Sequence, residues 1–375
     1  MQVEHPVTEA ITGLDLVEWQ LRVAAGEPLP LKQDQLRIHG HAIEARICAE
    51  NPDNNFLPAT GRLQVYRKPE CVAFLPPPLG EGRGGGLPRV DDGVREGDEI
   101  TPHYDSMIAK LIVHGDTRAQ ALARLDEALA RTHIVGLATN VQFLRHVARS
   151  PSFSQADLDT ALIQREQAVL FNQEPVGLPM AAAAAVANAL ASEKSLEGRD
   201  PFSRRDGWRS HGVATRRFAF EFGGEHRDAE LAYLHDGALR LTVGEVSGPL
   251  GYEARPDGLE ISFNGQRMLA QVYAHGETDH VFTPAGATQI VAVDLLAHAG
   301  EGEAETGRLT APMPGKVVSF AVKAGDSVRK GQPLAVMEAM KMEHTIAAPA
   351  DGTIAELLYA PGDQVAEGAE LLKLQ

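Results

Sequence analysis

The sequence predicts a multidomain α+β protein. An α+β unit comes first, then a β-barrel or sandwich with a helix attached, then a small barrel-like β domain. Three observations lead there. The 375 residues allow two or three domains at roughly 100–200 residues each. The apolar periodicity changes from mixed helical and alternating segments before residue 171 to short alternating runs after residue 213. The C-terminal stretch then repeats itself at a fixed spacing.

Composition narrows the function classes. The net charge is −16, from 51 acids against 35 bases, so the basic footprint that nucleic acid needs is missing. No run of eighteen apolar residues offers a membrane helix. Cys48 and Cys71 are the two cysteines, too few for a disulfide framework, which suits a reducing compartment such as the cytoplasm. Met1 is followed at once by Gln2-Val3-Glu4-His5-Pro6, with no targeting pattern, so the chain reads as starting in the middle of something.

In the first unit, residues 1–171, apolar residues Val7, Ile11, Leu14, Val17 and Leu21 predict one amphipathic helix over 7–25, ended by Gly26 and Pro28. Arg37 to Ala49 alternates as a strand, with Ile43, Ala45 and Ile47 on one face and Glu44 and Arg46 on the other. Residues 51–61 and 76–88 are turn-rich. Ile108 to His114 is a buried strand. Residues 117–131 form a helix capped by Asp116 or Thr117, with Leu122, Leu125 and Leu129 on one stripe. Helices near 140–148 and 157–171 complete the unit.

Pro175 to Pro179 marks a boundary, and residues 172–296 form the second unit. An Ala-rich helix runs over 180–191. About eight short strands follow, separated by hairpin signals such as Asp236-Gly237 and Asn264-Gly265. Residues 297–308 are acidic, contain no large apolar side chain, and read as a flexible linker.

Residues 309–375 carry the repeat. Ala311-Pro312-x-x-Gly315 recurs as Ala348-Pro349-x-x-Gly352, and Gly325-Asp326-x-Val328-x-x-Gly331 as Gly362-Asp363-x-Val365-x-x-Gly368, always 37 residues on. Two such halves imply quasi-twofold symmetry, with a core of Val317, Val328, Leu334, Val336, Ile354, Val365 and Leu371. The halves meet at Glu338-Ala339-Met340-Lys341-Met342, where a hairpin places Met340-Lys341 near its tip. Tight hairpin turns need φ > 0 and prefer Asn-Gly or Asp-Gly, so Met-Lys breaks a local rule, and broken rules are where function is expected.

At this point the sequence resembles the biotinyl domains of biotin-dependent carboxylases. Their attachment motif matches Glu338–Met342, with Ala311-Pro312-Met313-Pro314-Gly315 upstream, and it implies covalent biotin on Lys341. Lipoyl domains share this flattened β-barrel, but their lysine usually sits in an Asp-Lys-Ala setting. The front of the chain resembles the same family. Gln2-Val3-Glu4-His5 is similar to the end of the ATP-grasp part of biotin carboxylases, and His41–Glu50 and Pro102–Lys110 match two later motifs, so residues 1–171 look like the biotin carboxylase C-terminal subdomain. The resemblance implies that Glu4 is the general base for bicarbonate, that Gln2 and the Val3 backbone hold that anion, and that Arg46 offsets negative charge developing on the biotin ureido group. A carboxylate can accept the proton, and a guanidinium carries its charge without titrating. By pattern alone Glu44 and Arg46 form a cross-strand ion pair. Only the family motif lifts Arg46, and Glu44 stays structural.

Residues 172–296 resemble the domain that ties biotin carboxylase to carboxyltransferase, a β-barrel around a long helix. Details such as Phe56–Gly61, Ala156–Thr160 and Lys341–Thr345 are most like 3-methylcrotonyl-CoA carboxylase α subunits, with propionyl-CoA, geranyl-CoA and broad acyl-CoA carboxylases as competitors. The implied partners are a carboxyltransferase β subunit holding the acyl-CoA, and biotin protein ligase, in a hetero-oligomer. ATP and Mg²⁺ belong to the full-length enzyme. Most of the ATP-grasp portion has no counterpart here, so the chain alone is expected not to carboxylate biotin. A lipoyl-type carrier, an inactive carrier remnant and a membrane-linked decarboxylase subunit are the other classes. The carboxylase motifs at 1–110 speak against the first and the last of these.

Overall fold

The computed structural model describes residues 5–72, 86–171, 174–294, 308–311, 314–339, 342–366 and 368–374. The chain divides into two compact units, Gln173–Gly302, and Met1–Asn172 with Glu303–Gln375.

The amphipathic stretch near the start forms two helices, not one: α1 (Pro6–Thr12) and α2 (Leu16–Ala24). Gly13 ends α1 in the left-handed region at φ 78°, and the Asp15 carboxylate accepts the Glu18 amide to start α2. The apolar stripe continues across the break, which is why periodicity missed it. α1 buries Ala10 against Ala42 and Ile112, whereas α2 buries nothing and leaves Val17 and Leu21 exposed.

Behind α1 lies a three-stranded antiparallel sheet. Strand His41–Cys48 is at one edge, Met107–Gly115 in the centre and Arg89–Asp92 at the other edge. Ile43, Ala45 and Ile47 face α3 (Arg118–Ala130), which contributes Leu122, Leu125 and Leu129 to that core. Thr117 caps α3, its hydroxyl accepting the Gln120 amide. Helix α4 (Val141–Arg149) follows, with buried Ala148 in the same core. The helix expected over 157–171 is broken into α6 (Leu162–Arg165) and α7 (Gln167–Leu170), after α5 (Pro151–Ser154). Glu166, at the junction, accepts from the Ser152 amide and hydroxyl, a tertiary tie that outweighs helix propensity. Most of the loop expected over 76–88 lies outside the described residues.

In the second unit the helix is longer than expected, α8 (Leu178–Ser195). Eight antiparallel strands run from Ala214–Phe222 to Ala287–Val293, and the last pairs with the first through Ala219 and Val293, closing a barrel. Ala181 to Ala187 are all buried among Phe220, Leu231, Ile261, Phe263, Val281 and Ile290 from the wall. The helix therefore runs through the barrel and is not attached to its outside. Side chains normally fill an eight-stranded barrel. A helix fits there only if its own side chains are small, and the alanine run supplies that.

Residues 309–374 form two four-stranded sheets. Strand Gly315–Phe320 repeats as Gly352–Leu357, and Ser327–Val328 as Gln364–Val365. Val317, Val328, Leu334, Ile354, Val365 and Leu371 are buried as expected. Val336 is only half-buried, and Ala335 and Met337 take the interior. A register shift between Pro333 and Ala335 changes which alternate residues point inward. The flexible linker expected over 297–308 lies, up to residue 307, outside the described residues. Arg308 already begins strand Arg308–Thr310. Among the described residues no helix is long and apolar enough to cross a membrane.

Candidate functional site

Two places carry the expected chemistry, and each is described by itself. The first is the hairpin of strands Pro333–Ala339 and Met342–Ala347. The strands pair in register up to Ala339 opposite Met342, which leaves residues 340 and 341 to join them. Lys341 itself lies outside the described residues. Two features mark the approach to it. Glu338 and Glu343 are directly opposed and exposed, an arrangement of like charges that disfavours the pairing. On the neighbouring strand, Gly315 passes so close that a Cβ would stand 2.7 Å from the Glu338 carbonyl oxygen and 3.3 Å from the Ala339 Cβ. Only glycine lets the two strands meet there.

The second place is the polar face of the three-stranded sheet. Gln2, Val3 and Glu4 lie outside the described residues, so of the five expected site residues only Arg46 is placed. His5, next along, stands before α1 with its Nε2 buried and without a hydrogen-bond partner among the described residues. Arg46 points to the polar face with a side chain 56% exposed. Its Nε lies 3.4 Å from Glu44 Oε1. That ion pair runs along one strand, not across two as expected, because the residue opposite Glu44 is Ile112 and the residue opposite Arg46 is Lys110. Such an exposed single contact is worth about 0–1 kcal/mol. The terminal nitrogens of Arg46 have no partner among the described residues.

Sequence reasoning missed the surroundings of Arg46. Lys110 is buried and opposes Arg46 across the ladder. The Arg46 carbonyl turns to the free edge of the sheet, so the two form a non-hydrogen-bonded pair, with Cα atoms about 4.5 Å apart and side chains close. Lys110 shares the polar face with Arg46, and so do the carboxylates of Glu44 and Asp91. Asp91 opposes Lys110 from the third strand, and Arg89 binds both Asp91 oxygens at 2.7 Å and Glu9 of α1 at 3.4 Å. At the free edge, the Asn140 side chain reaches the backbone of Arg46 and Cys48. No spacing in the sequence connects these positions. Nearby Cys48 is held in its thiol form. Burial pushes its thiol up to about 11, Glu50 adds to the shift, and a Ser106 hydrogen bond opposes it only in part.

Comparison with known proteins agrees with this architecture. Residues 44–165 match the biotin carboxylase C-terminal domain, 177–295 the BT domain of the methylcrotonyl-CoA carboxylase α subunit, and 307–374 the biotin-requiring enzyme domain. Residues 1–32 match the ATP-binding domain of the carbamoyl-phosphate synthase L chain. In these domains the chain is similar to the biotin-dependent carboxylase family. Within it, the mitochondrial methylcrotonoyl-CoA carboxylase subunit alpha of Mus musculus is 36% identical over 100% of this chain and 52% of that protein. The propionyl-CoA carboxylase alpha chain of Ruegeria pomeroyi is 34% identical over 98% of this chain and 56% of that protein. This chain thus spans about half the length of the curated relatives it matches. Among solved structures, the bicarbonate-bound biotin carboxylase domain of a thermophilic 2-oxoglutarate carboxylase is 38% identical, covering 46% of this chain and 36% of that one, with a TM-score of 0.41.

Proposed function

We propose that the chain is the biotin-carrying part of an acyl-CoA carboxylase α subunit, with Lys341 as the attachment point. The observation that carries this reading is the hairpin, whose register leaves only Met340 and Lys341 as the connection at the seam of a quasi-twofold domain. The lysine amine forms an amide with the biotin carboxyl group. Once attached, biotin supplies a ureido nitrogen that takes up and releases a carboxyl group. Arg46 offers a fixed positive charge to the ureido oxygen without titrating. Glu4 takes the proton from bicarbonate, and Gln2 and the Val3 backbone hold that anion. ATP and Mg²⁺ serve the whole enzyme. Among the described residues no group of three His, Cys, Asp or Glu side chains is placed to hold a metal ion, and none is assigned to it.

The carboxyl group then passes to an acyl-CoA on a carboxyltransferase β subunit. Exposed apolar side chains support a protein partner: Leu196, Phe202 and Trp208 lie in the chain between α8 and the first barrel strand, with Phe202 96% and Trp208 79% exposed. The middle-domain match and the Mus musculus relative favour 3-methylcrotonyl-CoA as substrate. The Ruegeria pomeroyi relative makes propionyl-CoA the second reading. The cytoplasmic location belongs to this proposal too, although the Mus musculus relative is named as mitochondrial. Unpaired Cys48 and Cys71 suit a reducing compartment.

Intact mass after incubation with biotin protein ligase, biotin and ATP tests the core of the reading. One biotin is expected on the chain and none on Lys341→Ala. No addition to the chain, or addition of lipoate in its place by lipoyl ligase, would overturn it.

A further inference from the structure

Asn140 occupies the cap position of α4 and does not cap it. Asparagine there ordinarily accepts an amide hydrogen of the first turn, a bond worth ~1 kcal/mol. Here the side chain turns to the edge of strand His41–Cys48 instead. Its Oδ1 accepts the Cys48 amide at 2.9 Å, its Nδ2 donates to the Arg46 carbonyl at 3.1 Å, and its own amide donates to the Cys48 carbonyl at 3.1 Å. These three bonds stand where a neighbouring strand would lie. They fall where the strand needs them, since on its other side the ladder slips between Ile47 and Cys48. Just beyond Arg46, then, regular pairing fails on one edge and Asn140 replaces it on the other. Asn140 is buried, so water does not compete for these bonds.

We propose that Asn140 is a positioning residue for Arg46: it fixes the backbone from which the guanidinium projects. The proposal rests on the reading of Arg46 given above. It explains why the helix forgoes its own cap, and it ties the orientation of a charged group on a sheet to a helix far along the chain. A charge aimed at a developing oxyanion loses its effect when it is displaced by as little as an ångström.

The test uses the carboxylase subunit that contains this chain. ATP-dependent carboxylation of biotin is measured for Asn140→Asp, Asn140→Ser, Arg46→Ala and the double variants, beside thermal unfolding. Asn140→Asp keeps the acceptor for Cys48 but sets a carboxylate against the Arg46 carbonyl. Asn140→Ser can cap α4 but is too short for the clamp. Both are expected to lower kcat roughly 10- to 100-fold, to leave KM for ATP unchanged, and to add nothing to the loss in Arg46→Ala. Losses that add to that of Arg46→Ala, or that simply follow the unfolded fraction, would make Asn140 structural only. Unimpaired Asn140 variants beside an impaired Arg46→Ala overturn the role of Asn140 alone. An unimpaired Arg46→Ala overturns the reading of Arg46 and with it that of Asn140.

Discussion

Gly315 sits under the attachment hairpin, and its missing side chain is its contribution. A methyl group there would collide with the Glu338 carbonyl oxygen. Gly315→Ala is expected to destabilise the C-terminal domain by roughly 1–3 kcal/mol, as overpacking does, and to slow biotin attachment at the adjacent connection. Thermal unfolding and the rate of ligase-catalysed biotin transfer check this, and an unchanged rate with unchanged stability would sink it. The proposal for Lys341 starts from a broken turn rule inside a symmetric frame, a signal that the sequence carries by itself. The proposal for Arg46 comes only from its motif, since alternation alone gave it a cross-strand partner, and the ladder sets Lys110 opposite it. Asn140 was not legible at all. Its bond to Cys48 spans 92 residues, and asparagine before a helix reads as an ordinary cap.

At the scale of elements, a part-buried polar contact between the barrel and its helix makes stability depend on pH. Asn188 Nδ2 of α8 donates to Asp279 Oδ1 of the wall at 3.2 Å. Burial pushes the Asp279 carboxyl up to about 6, from an ordinary 3.8, and the Asn188 bond offsets this only in part. Between those values the folded barrel keeps a proton that the unfolded chain releases. Stability is therefore full below about pH 4, falls as pH rises through about 6 and is level above. Asp279→Asn is expected to remove that fall and to gain roughly 2–3 kcal/mol at pH 7. Denaturant unfolding across this range checks it, and a variant with the same slope as the parent would refute it. In the first unit periodicity located the long elements and missed short ones, among them strand Arg89–Asp92 and α5. It could not see that Gly13 cuts one apolar stripe into two helices, or that a bulge turns Val336 outward and Met337 inward.

At the scale of the whole molecule, the exposed aromatics after α8 predict an association that biotin attachment does not need. Phe202→Ala with Trp208→Ala is expected to weaken binding to the carboxyltransferase subunit at least about tenfold, since aromatic anchors commonly cost 2 kcal/mol or more when truncated. Biotin attachment should stay intact. Sedimentation with the partner and intact mass separate the two effects, and unchanged association would remove this surface from the interface. Domain order and the symmetric C-terminal fold were written in the sequence as repeats and changes of period. Barrel closure was not, because the pairing of Ala219 with Val293 depends on strands at opposite ends of a long segment, and because alanine signals a helix without saying what will surround it. That enclosure controls how the helix meets solvent. The helix precedes every strand of its barrel in the chain, and the closed wall surrounds its buried alanines. Once the final strand has zipped to the first, the helix can leave only by opening a seam. Amide hydrogens of Ala183 to Ala187 should therefore exchange with solvent only when the whole barrel comes apart, at a rate set by global unfolding and not by local fraying.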